Sequence, residues 1–458
     1  MAGAEAKMQP TPPEGDHAPD PPPGIGWRPW YMLALLVLAY LLSSIGRFVI
    51  NVLVEPIKHD LALSDTRVAI LLGFAFSLSY VVVTVPFGFL ADKISRRNLI
   101  VGGIACWSAA CMASGLANSY AELFVFRLVL AIGEAVLLPA AFSLLRDLFG
   151  PRHLARAMGA FLAAAPLGGG VSLLLGGAML DWMSHAGLRS AIGLGGLAPW
   201  QATYVLVGVP GIALALLLYF TTKEPGRYEI GGVRGRAGAA ATQSNWPLYY
   251  ATFGTGVFVA LLGFALHGWL PAFVGRAYGW SAATSGLYLG LVTLVVTPAG
   301  TFVGGLLCER LQDRGVTDAP ARILRYCFLS VIPIAALAFL QRSVGVSILA
   351  IAAIGFVYAM QVPLCPLALQ LTAPESLIGR TSALYVAIAN LLGVSAGPLV
   401  VGALSDVLGT HAIGQSLFVN SVIAAVGGVT TTILMYRFWM RRGLVPAPSG
   451  SVCPPAMR

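Results

Sequence analysis

Long apolar runs dominate this chain. Twelve of them lie near residues 31–53, 68–90, 98–117, 121–145, 154–180, 201–221, 247–272, 282–307, 322–340, 345–371, 379–404 and 413–436, with short polar stretches between. A helix of about 20 apolar residues covers a bilayer core of roughly 30 Å. A soluble amphipathic helix would break such a run with polar residues at helical period. The pattern predicts an all-α polytopic membrane protein with twelve transmembrane helices.

The polar stretches divide the chain. Residues 1–26 contain seven prolines and read as a disordered cytoplasmic tail. The longest internal polar loop is rich in Gly, Ala and Arg, as a flexible linker is. The predicted organisation is a tail at 1–26, a six-helix bundle at 27–222, a cytoplasmic linker at 223–245, a second six-helix bundle at 246–442, and a tail at 443–458. The first run is too long for a signal-peptide core and eleven more follow it, so no cleavable signal is predicted.

Composition agrees. Hydrophobic residues make up 57% and charged residues 10%, against about 25% charged in a soluble domain. Mean hydropathy is +0.80. The net charge of +9 then needs a reason. Of 28 Lys and Arg, 21 fall at the termini or in loops on the termini's side. Five (Lys58, Arg67, Arg189, Arg276 and Arg342) fall on the other side, and Arg47 and Arg127 lie inside runs. By the positive-inside rule both termini are cytoplasmic, in a cell inner membrane. The charge is topology, and nucleic acid is not a predicted partner. The six cysteines form no C-x-x-C and no His/Cys cluster, so neither a disulfide framework, a metal site nor a cofactor is predicted. No catalytic pairing and no Walker-type phosphate loop occurs either, which argues against an enzyme or an ATP-driven pump.

The two halves repeat. After the second run stand Gly88, Asp92, Lys93 and Arg97, with Arg96 beside them. After the eighth stand Gly305, Glu309, Arg310 and Arg314 at the same spacing, 217 residues on. Arg156 precedes Asp181, which closes Gly-Ala-Met-Leu-Asp. Arg380 precedes Asp406, which closes Gly-Ala-Leu-Ser-Asp. Trp27 and Trp246 each open a half. Such repeats are a transporter feature, with the substrate site between the halves near the midplane.

The doubled Gly-x-x-x-acid-base-x-x-x-base loop resembles the signature of the major facilitator superfamily, with Ser95 where the family usually has Gly. Several stretches resemble its bacterial spinster-like branch: VEPIKHDLALSDT (54–66), GEA (133–135), DLF (147–149), VGVPG (207–211), KEP (223–225) and GPLVVGALSD (397–406). The resemblance covers about residues 27–442. It implies the major facilitator fold, alternating access between two bundles, and small organic or lysolipid-like substrates.

Two sets of residues carry the expected function. Asp92 at the end of span two faces the positive end of span eleven's dipole. With Gly88, Lys93, Arg96, Arg97, Asp147 and Arg156, and with Glu309, Arg310 and Arg314 in the repeat, it forms an expected cytoplasmic latch that favours the outward-open state. Topology charge with solvated side chains is the plainer reading. Arg47, Arg127 and Glu134 lie inside the bilayer, where charge is costly and usually functional. Helical rise puts both arginines roughly 10 Å below the outer face, with Glu134 roughly 10 Å deeper on the Arg127 face.

Glu134 is therefore the expected proton-coupling carboxyl, and a static ion pair joining spans one and four is the alternative. The family usually carries an Asp-Arg pair where this chain has Gly46 and Arg47. Three outcomes follow: Glu134 alone carries the proton, coupling is lost, or an anion drives transport. Unpaired arginines attract carboxylate, sulfate or phosphate groups, which favours an anionic or amphiphilic substrate. Asn51, His267, Tyr358, Gln361, Tyr385 and Asn390 are weaker cavity-lining candidates, each also readable as a helix–helix hydrogen bond. The predicted function is secondary active transport by a monomer, against an uncoupled facilitator or a transporter-like membrane sensor.

Overall fold

The computed structural model describes residues 26–149, 151–224 and 245–441. Among them the chain is helical. Eleven helices are long and apolar enough to cross a bilayer. They are α1 (Trp27–Asp60), α2 (Asp65–Thr84, with helix running on to Lys93), α4 (Tyr120–Leu148), α5 (His153–Ser184), α6 (Pro199–Thr221), α7 (Trp246–Tyr278), α8 (Ala282–Asp313), α9 (Ala319–Phe339), α10 (Val344–Thr372), α11 (Arg380–Leu408) and α12 (Thr410–Met440).

The twelfth helix, α3 (Arg96–Ser114), is less apolar because its first turn holds Arg96, Arg97 and Asn98. It nevertheless lies along its neighbours from end to end. Arg96 meets Asp147 at the end of α4. Gly103 packs on Gly133, and Gly115 packs on the Gln201 carbonyl at the start of α6. The helices thus form two bundles of six.

Both bundles begin and end on one face. Tyr31 donates to Thr221 there at 2.9 Å, and Asn245 donates to the Phe438 carbonyl at 3.3 Å. We call this the terminal face and its opposite the distal face.

The bundles meet at the distal face through glycine seams. A Cβ on Gly177 of α5 would stand 2.4 Å from the Ala282 carbonyl oxygen of α8, and one on Gly286 would stand 2.2 Å from that of Leu173. Gly73 of α2 sits equally close under the Val394 carbonyl of α11, and Gly402 under that of Asp65. Small residues let backbones approach this far. Towards the terminal face, Gly159 of α5 and Gly305 of α8 have nothing within 4 Å of a Cβ position. The bundles are thus closed against each other at the distal face.

Several helices break near the midplane. α1 is interrupted at Val49, between Phe48 and Ile50, and α4 at Val136. α2 and α11 each contain a π-helical turn, Ile70–Phe74 and Ala389–Val394, and these turns meet at the Gly73 crossing. A π-turn frees backbone carbonyls and is common at functional sites.

Candidate functional site

The breaks explain Arg127. Its Nε donates to the Leu71 carbonyl in the π-turn at 3.3 Å, and its Nη1 to the Arg47 carbonyl beside the α1 break at 3.0 Å. The side chain is 1% exposed. Arg127 therefore fastens α1 to α2 by satisfying carbonyls that the irregular helices leave free.

Arg47 differs. Its guanidinium lies 3.7 Å from the Phe76 ring centre, with Phe48 at 5.1 Å and Phe264 of the other bundle at 5.5 Å. It is half-buried, and among the described residues it makes no side-chain hydrogen bond and no ion pair within 4 Å. Aromatic faces stabilise a cation but leave its N–H groups free. Beside it, Phe48 approaches His267 at 5.7 Å. His267 and Tyr358 line a central cavity with Leu173, Pro271 and Leu289. Gly263 makes room for the Tyr358 ring, 2.2 Å from a Cβ position.

Glu134 is 6% exposed. Ser43 is its hydrogen-bonding neighbour, and Arg47 and Arg127 act on it electrostatically. Its Oε1 has no hydrogen-bond partner. Neither arginine is within ion-pair distance among the described residues, so no static ion pair joins α1 to α4 in this conformation.

The weaker candidates separate. Tyr385 fits beneath Gly256 and shares a hydrogen bond with Cys365. Asn390 donates to the Val386 carbonyl of its own helix at 2.8 Å. Gln361 is fully buried, with both side-chain polar atoms unpartnered. Asn51 lines a second pocket, at the distal face.

The terminal-face charges gather inside one bundle. Arg96 pairs with Asp147, donates to Ser143, and pairs with Glu224 at 2.9 Å. Ser95 caps α3 and donates to Glu224 at 2.9 Å. The Arg97 backbone N–H donates to Glu224 at 2.8 Å, and the Arg97 side chain donates to the Tyr219 carbonyl. Ser95 thus has a use that glycine would not supply. Burial would raise the Glu224 pKa, but these donors outweigh it and hold the carboxyl below its usual range. Arg156, Glu309, Arg310 and Arg314 are exposed, and no ion pair forms on them among the described residues. Gly88, Asp92 and Lys93 lie in helix whose side chains fall outside the described part.

An interbundle ion-pair cluster stands on the distal face instead, and sequence reasoning missed it. Asp65, at the first turn of α2, is fully buried. It accepts from Lys58 at 2.6 Å, from Arg276 of α7 at 2.7 and 2.8 Å, and from Ser405 of α11 at 2.6 Å. Arg276 also reaches Glu55 at 2.7 Å. Asp406 caps the start of α2 from the other bundle, accepting from the backbone N–H of Asp65 at 2.9 Å and of Thr66 at 2.8 Å. An anion is favoured at a helix N-terminus. One signal was legible: Asp406 closes the second copy of the Gly-Ala repeat. Its counterpart Asp181 is exposed.

A family model described as Major Facilitator Superfamily matches residues 36–398. The chain belongs to the major facilitator superfamily. It is 30% identical over 440 residues to an MFS-type efflux pump of Mycolicibacterium smegmatis, covering 91% of this chain and 95% of that one. It is 25% identical over 343 residues to a probable L-galactonate transporter of Escherichia coli, covering 70% and 71%. Among solved structures it is similar to a bacterial homologue of the human lysosomal transporter spinster, inward-facing and unoccupied. There the TM-score is 0.80 and the identity 26%, with 92% of this chain and 99% of that one covered. Within this superfamily of multi-pass membrane transporters, the chain is spinster-like.

Proposed function

We propose that this chain is a secondary active transporter for a small organic or amphiphilic anion, working by alternating access and coupled to protons through Glu134. The terminal face is cytoplasmic in this reading, because 21 of the 28 basic residues lie on that side or at the termini. The conformation is then outward-closed, and the membrane is the cell inner membrane. The carrier acts as a monomer, each chain holding its own site.

One observation carries the substrate class. Among the described residues Arg47 is a guanidinium without side-chain hydrogen bond or ion pair, set among aromatic faces between the bundles. An anionic head group would take its free N–H donors, while an apolar body would lie along Phe48, Phe264 and the cavity wall. Glu134 supplies the second element. A buried carboxyl with one free oxygen near that cation holds its proton more weakly when the guanidinium is free than when an anion neutralises it. Anion binding and proton binding therefore favour each other, the linkage that symport needs.

The test is direct binding. Purified protein in detergent is titrated with a lysophosphatidate and with its neutral monoacylglycerol counterpart. A charge-assisted hydrogen bond contributes about 1.5–3 kcal/mol, so Arg47→Gln should weaken lysophosphatidate binding roughly 10- to 100-fold. The neutral lipid should change little. Equal losses for both lipids, or none, would remove Arg47 from anion recognition.

A further inference from the structure

A second pocket lies at the distal face, between α1, α7 and α8. Its walls come from both bundles: Asn51 and Glu55 from one, Pro271, Ala272, Trp280 and Ser285 from the other. Pro271 also lines the central cavity and stands as the partition between the two spaces.

The polar groups here are unusually free. The Ser285 hydroxyl is buried at 2% exposure and has no partner. Asn51 is 4% exposed and makes no side-chain hydrogen bond among the described residues. Glu55 lies at the rim, nearly half exposed, and accepts from Arg276 on Oε1; no hydrogen bond forms on its other oxygen among the described residues. Buried polar groups left unpaired are costly and call for a partner. The pocket wall points to the sign of that partner. Glu55 is the charged residue in its lining, and the buried Asp65 stands behind it on the same Arg276. Trp280 adds an aromatic face and Ala272 an apolar floor.

We propose that this pocket binds a small primary alkylammonium ion and that its occupation locks the distal gate. The ammonium has three donors, matching the free Glu55 oxygen, the Asn51 amide oxygen and the Ser285 hydroxyl. The alkyl chain lies on Pro271 and Ala272. Because each bundle supplies half of the wall, the site exists only while the bundles touch, and a ligand confined to one state stabilises that state. The effect on transport rests on the alternating-access reading above. Binding itself does not, so the two fail separately.

The experiment uses full-length protein in detergent with n-butylammonium chloride as the probe, and n-butanol and sodium butyrate as controls. Thermal unfolding is followed across the titration. Butylammonium should raise the Tm, and the two controls should not. Glu55→Gln and Ser285→Ala should each weaken the apparent Kd, Glu55→Gln by about tenfold or more. Ser285→Ala removes only an oxygen, so it keeps the fold if Glu55→Gln does not. Spin labels at exposed His59 and Ala277 should report a larger share of the short, closed distance as butylammonium is added. No Tm rise, a rise matched by butanol, or an unchanged Kd in Ser285→Ala overturns the proposal.

Discussion

Arg276→Gln is the perturbation that probes the distal gate most sharply. Arg276 makes a two-pronged contact with Asp65, whose side chain has no exposed surface. Removing one partner of a buried pair costs about 3–5 kcal/mol, because the other charge stays desolvated. Lys58 and Ser405 remain on the carboxylate, so the lower end, about 3 kcal/mol, applies. The cost falls on the closed state alone, since water reaches Asp65 once the bundles part. At about 1.4 kcal/mol per factor of ten, the closed-to-open ratio should fall roughly 100-fold. Lys58→Ala serves as the comparison. Lys58 makes one bond to the carboxylate where Arg276 makes two, and is more exposed, so its loss should cost less. The assay is the distance distribution between spin labels at His59 and Ala277, in proteoliposomes and in a background with the native cysteines replaced. Wild type should show the short distal distance, Arg276→Gln a dominant longer one, and Lys58→Ala a small shift. An unchanged distribution in Arg276→Gln would refute the reasoning that this cluster holds the gate.

Two further outcomes follow from the packing and from the terminal-face clasp. Gly177→Val should drive α5 off α8, because its Cβ meets backbone that cannot rotate away. Overpacking of this kind costs about 1–3 kcal/mol, visible as distal opening with the same labels, while Gly159→Val, which meets open space, should leave the distance unchanged. Glu224 has a folded pKa below its unfolded value, so its contribution to stability is complete above the usual carboxylate pKa of about 4.3 and fades as pH falls through the folded value. Glu224→Gln should therefore lower the Tm at pH 7 and flatten the loss of Tm below pH 4, which thermal scans across pH would check.

The apolar runs made twelve helices legible because a bilayer demands them and a soluble fold does not. The same rule hid the gate. Glu55, Lys58 and Arg276 lie past the ends of apolar runs, where they read as loop charge, yet α1 continues in helix to Asp60 and α7 to Tyr278. Helical continuation carries those charges across the bundle interface. The expected nearness of Arg47 and Arg127 came from depth along the helices, and the Arg127 side chain donates to the Arg47 carbonyl. What occupies Arg127 was not legible. A π-turn has no simple sequence signature, and it is the π-turn at Ile70–Phe74 that offers the Leu71 carbonyl. Asn390 sits in the second π-helical segment, and its amide donates back to Val386 in the turn before it. The acid-base motif was legible as a repeat. The Glu224 clasp was not, because Ser95 meets Glu224 only after the chain has passed through four more helices.

The proposed proton-coupled carriage of an anion by Arg47 and Glu134 is tested by uptake into sealed proteoliposomes, wild type against Glu134→Gln. A labelled lysophosphatidate and a hydrophobic organic acid are offered with and without an imposed pH gradient. Uptake should be gradient-driven in wild type and lost in Glu134→Gln, while exchange of labelled for unlabelled substrate survives. Uptake that ignores the gradient, with the variant matching wild type, would contradict the proposed coupling and leave Glu134 a structural residue of an uncoupled carrier.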